Sequence, residues 1–219
     1  HSAYKLMLEG LKYSLEISLL AVVIGIVLGA LVAVFKVIPR TNIFARLLNG
    51  IATVYITVIR GTPVMVQLLL AYYALFKNLF RGNSNKALLI AVIVFGINSS
   101  AYVAEIIRGG ILSIDRGQME AGRSLGLGYS TTMGQIILPQ AIKNILPALG
   151  NEFIVMIKET SVAGFITVFD LTRATRAIVA DNYTAFVPYL TLAAVYLVLV
   201  LFATFLLNLL EKRLRKSEH

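Results

Sequence analysis

Glu152 and Glu159 stand seven residues apart in a stretch that is otherwise largely apolar. A spacing of seven puts two side chains on one face of an α-helix, two turns apart. Asn151 and Lys158 repeat the spacing, rotated by about 100° on the same helix. Asn98, followed by Ser99 and Ser100, falls near the middle of a second apolar run, and Arg60, Thr62 and Gln67 flank a Gly61–Pro63 break in a third. Polar groups in such segments are costly and face a cavity or another helix. Glu152 or Glu159 can hold a cationic group. Lys158, Arg60 or the backbone amides near Thr160–Ser161 can hold a carboxylate. The plainer alternative is mutual neutralisation of Lys158 and Glu159, an interfacial Arg60, and Thr62, Gln67 and Ser161 lining a gate or supporting the break. Tyr72 and Tyr73 can stack on a planar guanidinium or anchor at a membrane interface.

The composition says what must position these groups. Of 219 residues, 58% are hydrophobic and 14% charged, with mean hydropathy +0.82. A soluble domain has too little interior for that much apolar surface, so the expected class is an all-α integral membrane protein. The net charge of +9 is spread over segment ends, which suits a lipid bilayer with anionic headgroups and not a nucleic acid. The chain has no cysteine, which excludes disulfides and thiol chemistry, and its only histidines are His1 and His219. No metal site and no catalytic residues are expected. The chain carries no G-x-x-x-x-G-K-[ST] loop, no H-E-x-x-H and no G-x-S-x-G elbow.

Five spans are expected, over about 11–37, 43–79, 87–107, 148–168 and 187–210, in one domain covering 1–219. Gly25 and Gly29 form a G-x-x-x-G pair in the first, which allows close approach of another helix. Lys36, Arg40 and Arg46 mark a basic turn after it, and Lys212–Lys216 a basic end after the last. Both are expected in the cytoplasm, with the N-terminus outside. The polar stretch over about 109–147 joins spans 3 and 4. If it too is cytoplasmic, an even number of crossings separates it from the first turn, so 43–79 supplies not two short crossings but an interfacial lead-in and one crossing that begins near its Gly-Pro break.

Within that stretch, residues 118–125 have two turns of helix with Glu120 near the positive end of the helix dipole. Gly126 and Gly128 then permit a sharp reversal, and 129–138 predicts a second short helix with Pro139 beyond it. Read by spacing alone, this is either a protrusion that docks on a partner or a loop lying on the membrane.

Glu120-Ala121-Gly122, three residues, Gly126, nine residues and Ile136-Ile137-Leu138-Pro139 resemble the EAA signature of ABC importer membrane subunits, with Gly122 in place of the usual third residue. The likeness continues through Arg60-Gly61-Thr62-Pro63 with Gln67, Tyr102-Val103-Ala104-Glu105 with Arg108, and Pro147–Ile154 with Lys158-Glu159-Thr160-Ser161. Over roughly residues 8 to 210 the chain is similar to the histidine/glutamine-type permeases of polar amino acid importers. That resemblance implies a bacterial cytoplasmic (inner) membrane location and a channel completed by a second copy or a paralogue. It implies two ATP-binding cassette ATPase subunits, which use the ATP and Mg, and an extracytoplasmic solute-binding protein. The chain itself would hold no cofactor. Glu120, Ala121, Gly122, Gly126 and Pro139 would form the ATPase-coupling element. Asn98, Glu152, Glu159, Lys158, Ser161, Arg60, Thr62 and Gln67 are the candidate substrate-binding residues.

With two carboxylates in one span, the expected cargo is a basic amino acid: arginine, lysine or histidine. Glutamine or another polar amino acid is the alternative. A secondary transporter driven by an ion gradient is the rival of another class. It predicts inverted repeats, which the five spans lack, and leaves the signature insert without a task.

Overall fold

The computed structural model describes residues 3–39 and 41–215; Arg40, Lys216 and the two histidines lie outside the described residues. The chain is helical, in the order α1 (Ala3–Val37), α2 (Ile43–Gly61), α3 (Val64–Leu70), α4 (Lys86–Leu112), α5 (Arg116–Ser124), α6 (Tyr129–Thr132), α7 (Leu138–Glu159), α8 (Leu171–Asn182) and α9 (Phe186–Arg215). One-turn π-helices follow α3 (Ala71–Leu75) and α6 (Met133–Ile137), and a 3₁₀ segment, Thr160–Ile166, follows α7.

Among the described residues, α1, α2, α4 and α9 are long and apolar enough to cross a membrane. The fifth long helix, α7, has 22 residues, about 33 Å at 1.5 Å per residue, but Asn144, Asn151, Glu152, Lys158 and Glu159 lower its hydropathy.

Close approach of α1 and α4 organises the core. A Cβ on Gly25 would sit 2.6 Å from Ser99 Oγ, and one on Gly29 2.7 Å from Val103 Cβ. Reciprocally, Gly96 of α4 receives Ile24. The G-x-x-x-G pair therefore has α4 as its partner, and hydrogen on both sides lets the backbones meet. Around this seam Ile17, Leu68, Ile90, Phe95, Met156 and Ile166 are fully buried. In the apolar window of α9, by contrast, no residue is buried.

Three element boundaries differ from the sequence-based expectation. In the segment 43–79 the span-length helix lies before the Gly-Pro break and not after it. Thr62 and Pro63 are extended, because proline has no N–H for the ladder and disfavours the helical region in the residue before it. The 12 residues from Val64 to Leu75 span about 18 Å, too short to cross, whereas α2 alone is of span length. The polar insert is shorter than 109–147, since α4 runs on to Leu112 and α7 begins at Leu138. Pro139 does not lie beyond a helix; it occupies the first turn of α7, where no backbone N–H is required. Gln140 Nε2 donates to the Ile136 carbonyl at 2.7 Å across that junction.

The ends of the bundle are defined by their packing. At one end Gly10 of α1 lies against Asp170, Leu171 and Ala174. Asp170 caps α8 by accepting from Arg173 N–H at 2.9 Å, and burial raises its pKa to about 6 against the opposing pull of these backbone N–H groups. At the other end Asn49 Nδ2 donates to the carbonyls of Phe35 and Lys36 at 3.2 and 3.4 Å, and Lys36 Nζ to Thr53 Oγ1 at 2.9 Å.

Candidate functional site: a polar cavity and an exposed insert helix

The α2–α3 break is where polar side chains converge. Gln67 Nε2 donates to the Ile59 carbonyl at 2.8 Å, the Thr62 carbonyl at 3.1 Å and Thr62 Oγ1 at 2.8 Å. Thr62 Oγ1 in turn donates to the Val58 carbonyl at 2.9 Å. One amide thus closes the hydrogen bonds that the proline opened. Gln67 Oε1 accepts from Asn98 Nδ2 at 3.2 Å, which ties the break to the middle of α4. The Tyr55 hydroxyl, 3.0 Å from the Ile97 carbonyl and 2.5 Å from Ser100 Oγ, pins α2 to the same turn.

Beside this junction lies a cavity of about 330 Å³ lined by Arg60, Gly61, Thr62, Pro63, Val64, Asn98, Tyr102 and Glu159. The Arg60 guanidinium stands 5.0 Å over the Tyr102 ring, a cation–π contact that holds it at the wall. Asn98 is 2% exposed, and its Oδ1 has no hydrogen-bond partner. Buried polar atoms are ordinarily paired, and this oxygen is an exception.

Four of the eight sequence-derived candidates, Arg60, Thr62, Asn98 and Glu159, meet at this cavity. Gln67 supports it from behind and also borders a separate apolar recess with Val66 and Leu70. Glu152 is buried between α7 and α4, where Ser99 Oγ donates to its Oε1 at 2.8 Å, and it does not line the cavity. Seven residues of α7 thus separate one carboxylate held by packing from one facing open space. Lys158 is exposed and Ser161 half-buried, and neither reaches the cavity wall. Tyr72 carries the Lys86 ammonium 5.2 Å from its ring centroid. Tyr102 was not among the candidates. Its signal was its place four residues after Asn98, hence on the same helix face. Among the described residues, no group of three or more His, Cys, Asp or Glu side chains could hold a metal ion.

The insert presents its own surface. Asp115 caps α5 by accepting from Gly117 N–H at 2.6 Å. Gly126 closes the helix at φ +83°, a conformation that favours glycine. Leu127 N–H returns to the Gly122 carbonyl at 3.1 Å. Gly122 is the buried residue of α5 and lies against Thr132, where a Cβ would come 2.6 Å from Cγ2. The departure from the signature thus has a steric cause. Glu120, Ala121, Arg123 and Leu125 are exposed, Leu125 by 81%.

A helical membrane bundle with a polar cavity at its broken helix, and an exposed short helix in the insert, fits a transporter subunit. The chain belongs to the binding-protein-dependent transport system inner membrane component family, whose model matches residues 16–216. It is 40% identical over 218 residues to the glutamine transport system permease protein GlnP of Escherichia coli K12, covering 97% of this chain and 94% of that protein. It is 38% identical over 208 residues to the putative glutamine transport system permease protein GlnP of Rickettsia typhi, covering 95% and 92%. The solved structure of an amino acid ABC transporter with histidines matches with TM-score 0.87 and 46% identity, covering 96% of this chain and 94% of that one. An inward-facing structure of the MetNI methionine ABC transporter shares the fold, with TM-score 0.81 at 18% identity and 98% coverage of both chains. The chain is therefore an amino acid permease subunit of an ABC importer. It works with a substrate-binding protein and with ATPase partners, which hydrolyse the ATP.

Proposed function

We propose that the cavity between α2, α4 and α7 receives the zwitterionic head of a polar, uncharged amino acid of the glutamine class. The unpartnered Asn98 Oδ1 carries this reading. Asn98 and Glu159 line the cavity and can accept from an ammonium, and Arg60 in the same lining can take the carboxylate. The preference for basic cargo expected from two carboxylates loses its ground. Glu152 is buried against Ser99 and does not line the cavity, so once Glu159 meets the α-ammonium no second carboxylate lines it for a cationic side chain. The glutamine permeases among the relatives support this choice. The 46% identical transporter with histidines supports the basic reading as the second one.

In the proposed arrangement α1, α2, α4, α7 and α9 each cross the bacterial inner membrane once, and α3 enters part-way. Gly10 packing against α8 suits an outer face holding both the N-terminus and α8, and leaves the insert and the C-terminal end of α9 on the cytoplasmic face. There α5 seats on one of two ATPase subunits, which use ATP and Mg, opposite a second copy or a paralogue of this chain. Exposed Ala121 and Leu125 supply apolar contact and Glu120 a rim charge.

The test is competitive uptake of radiolabelled glutamine into proteoliposomes holding the complete importer, with unlabelled glutamine, arginine and histidine as competitors. Glutamine should compete best in wild type and in Glu152→Gln alike. A preference for arginine in wild type that Glu152→Gln abolishes would overturn the reading.

A further inference from the structure

Glu105 and Arg108 belong to neither the cavity nor the coupling helix, yet they form an ion pair on α4 between them. Arg108 Nε donates to both carboxylate oxygens of Glu105, at 3.2 and 3.1 Å, and Nη2 donates to Oε2 at 2.7 Å. The pair is not sealed in the core. The Glu105 and Arg108 side chains are 22% and 37% exposed.

Its position relates it to the cavity. At 100° per residue, Asn98, Tyr102 and Glu105 fall within about 60° of one another on α4, and Glu105 lies about 10 Å beyond Asn98 along the helix axis. Asn98 and Tyr102 line the cavity, so Glu105 continues the same stripe toward the insert. Arg60, a wall of the cavity, also lies within electrostatic reach of Glu105, as does Lys36 from the end of α1. The field around Glu105 therefore joins the cavity to the insert end of the bundle.

We infer that the Glu105–Arg108 pair is a second station for the zwitterionic head of the cargo, between the cavity and the insert end. The inference rests on the proposed amino acid binding at the cavity. An ion pair exposed on a stripe has the charge complement of an α-amino acid. The arriving ammonium takes the place of the guanidinium on Glu105, and the carboxylate takes the place of Glu105 on Arg108. Glu105 and Arg108 each exchange one charged partner for another, so the head moves about 10 Å along α4 without leaving either of them unpaired. When it leaves, the pair closes on itself, which opposes return.

The experiment uses the complete importer in proteoliposomes and radiolabelled glutamine as probe. Glu105→Gln, Arg108→Gln and the double variant are compared in uptake rate, in equilibrium glutamine binding to the detergent-solubilised complex, and in thermal stability. A station predicts that uptake falls at least about tenfold more than binding affinity in each single variant, and that the double variant stays as slow. A purely structural ion pair predicts that removing both charges relieves the unpaired one. Recovery of uptake to within about twofold of wild type in the double variant overturns the inference, and so does a double variant that no longer assembles. If wild type binds no glutamine in detergent while the uptake pattern holds, the cavity reading fails and the station's transport role stands.

Discussion

Replacing Asn98 by leucine separates the cost of an empty binding site from the value of a filled one. Asn98 is buried, donates to Gln67 Oε1 at 3.2 Å and leaves Oδ1 unpaired beside the cavity. An unsatisfied buried polar atom costs about 1–3 kcal/mol, and a typical hydrogen bond returns about 1 kcal/mol. Leucine, of similar size, removes both, and the Gln67 Oε1 it leaves without a donor belongs to a half-buried side chain within reach of water. The ligand-free variant should therefore be as stable as wild type or more stable by up to about 2 kcal/mol. A hydrogen bond to a charged ammonium is worth about 1.5–3 kcal/mol. At 1.4 kcal/mol per decade this weakens glutamine binding about 10- to 150-fold. Thermal unfolding of the purified importer with and without glutamine, together with equilibrium binding, measures both quantities. A ligand-free variant destabilised by more than about 1 kcal/mol, with glutamine affinity unchanged, would refute the reasoning. It would mean that Asn98 serves packing alone.

Gly122→Val should disturb the insert without disturbing the bundle. Its Cβ would meet Thr132 Cγ2 at 2.6 Å, and overpacking of this kind costs about 1–3 kcal/mol. Substrate-stimulated ATP hydrolysis by the assembled importer should fall while the membrane helices keep their far-UV CD signal; intact stimulation would count against the rigid-insert account. Asp170 tests pH dependence. Its pKa rises from the ordinary 3.8 to about 6 on folding, so its favourable contribution is full below about pH 3.8 and is lost as pH climbs through 6, a cost of about 3 kcal/mol at neutral pH. Asp170→Asn keeps an N-cap acceptor and should raise the thermal midpoint at pH 7.5 while leaving it near wild type at pH 4. A lower midpoint at pH 7.5 would show that the carboxylate is stabilising where it sits.

The class of protein was legible in the residues because both of its signals are local. Apolar runs as long as the hydrocarbon is thick specify helices before any tertiary contact exists. The spacing from Glu120 to Pro139 is likewise a property of consecutive residues. So, in part, was the cavity. The costs of placing Arg60, Asn98 and Glu159 in apolar surroundings singled them out. Packing alone decided which polar groups face open space and which face protein. Glu152 and Glu159 share a helix face by count, yet Ser99, presented by the close approach of α4 to α1 at Gly25, takes one of them. Thr62 and Pro63 broke the second apolar segment, and only the folded chain showed Gln67 closing that break and delivering Arg60 to the Tyr102 ring. Sequence determines which side chains are too polar to be left in lipid. Tertiary structure decides which of them find a partner within the chain, because that depends on the distance between helices far apart in sequence.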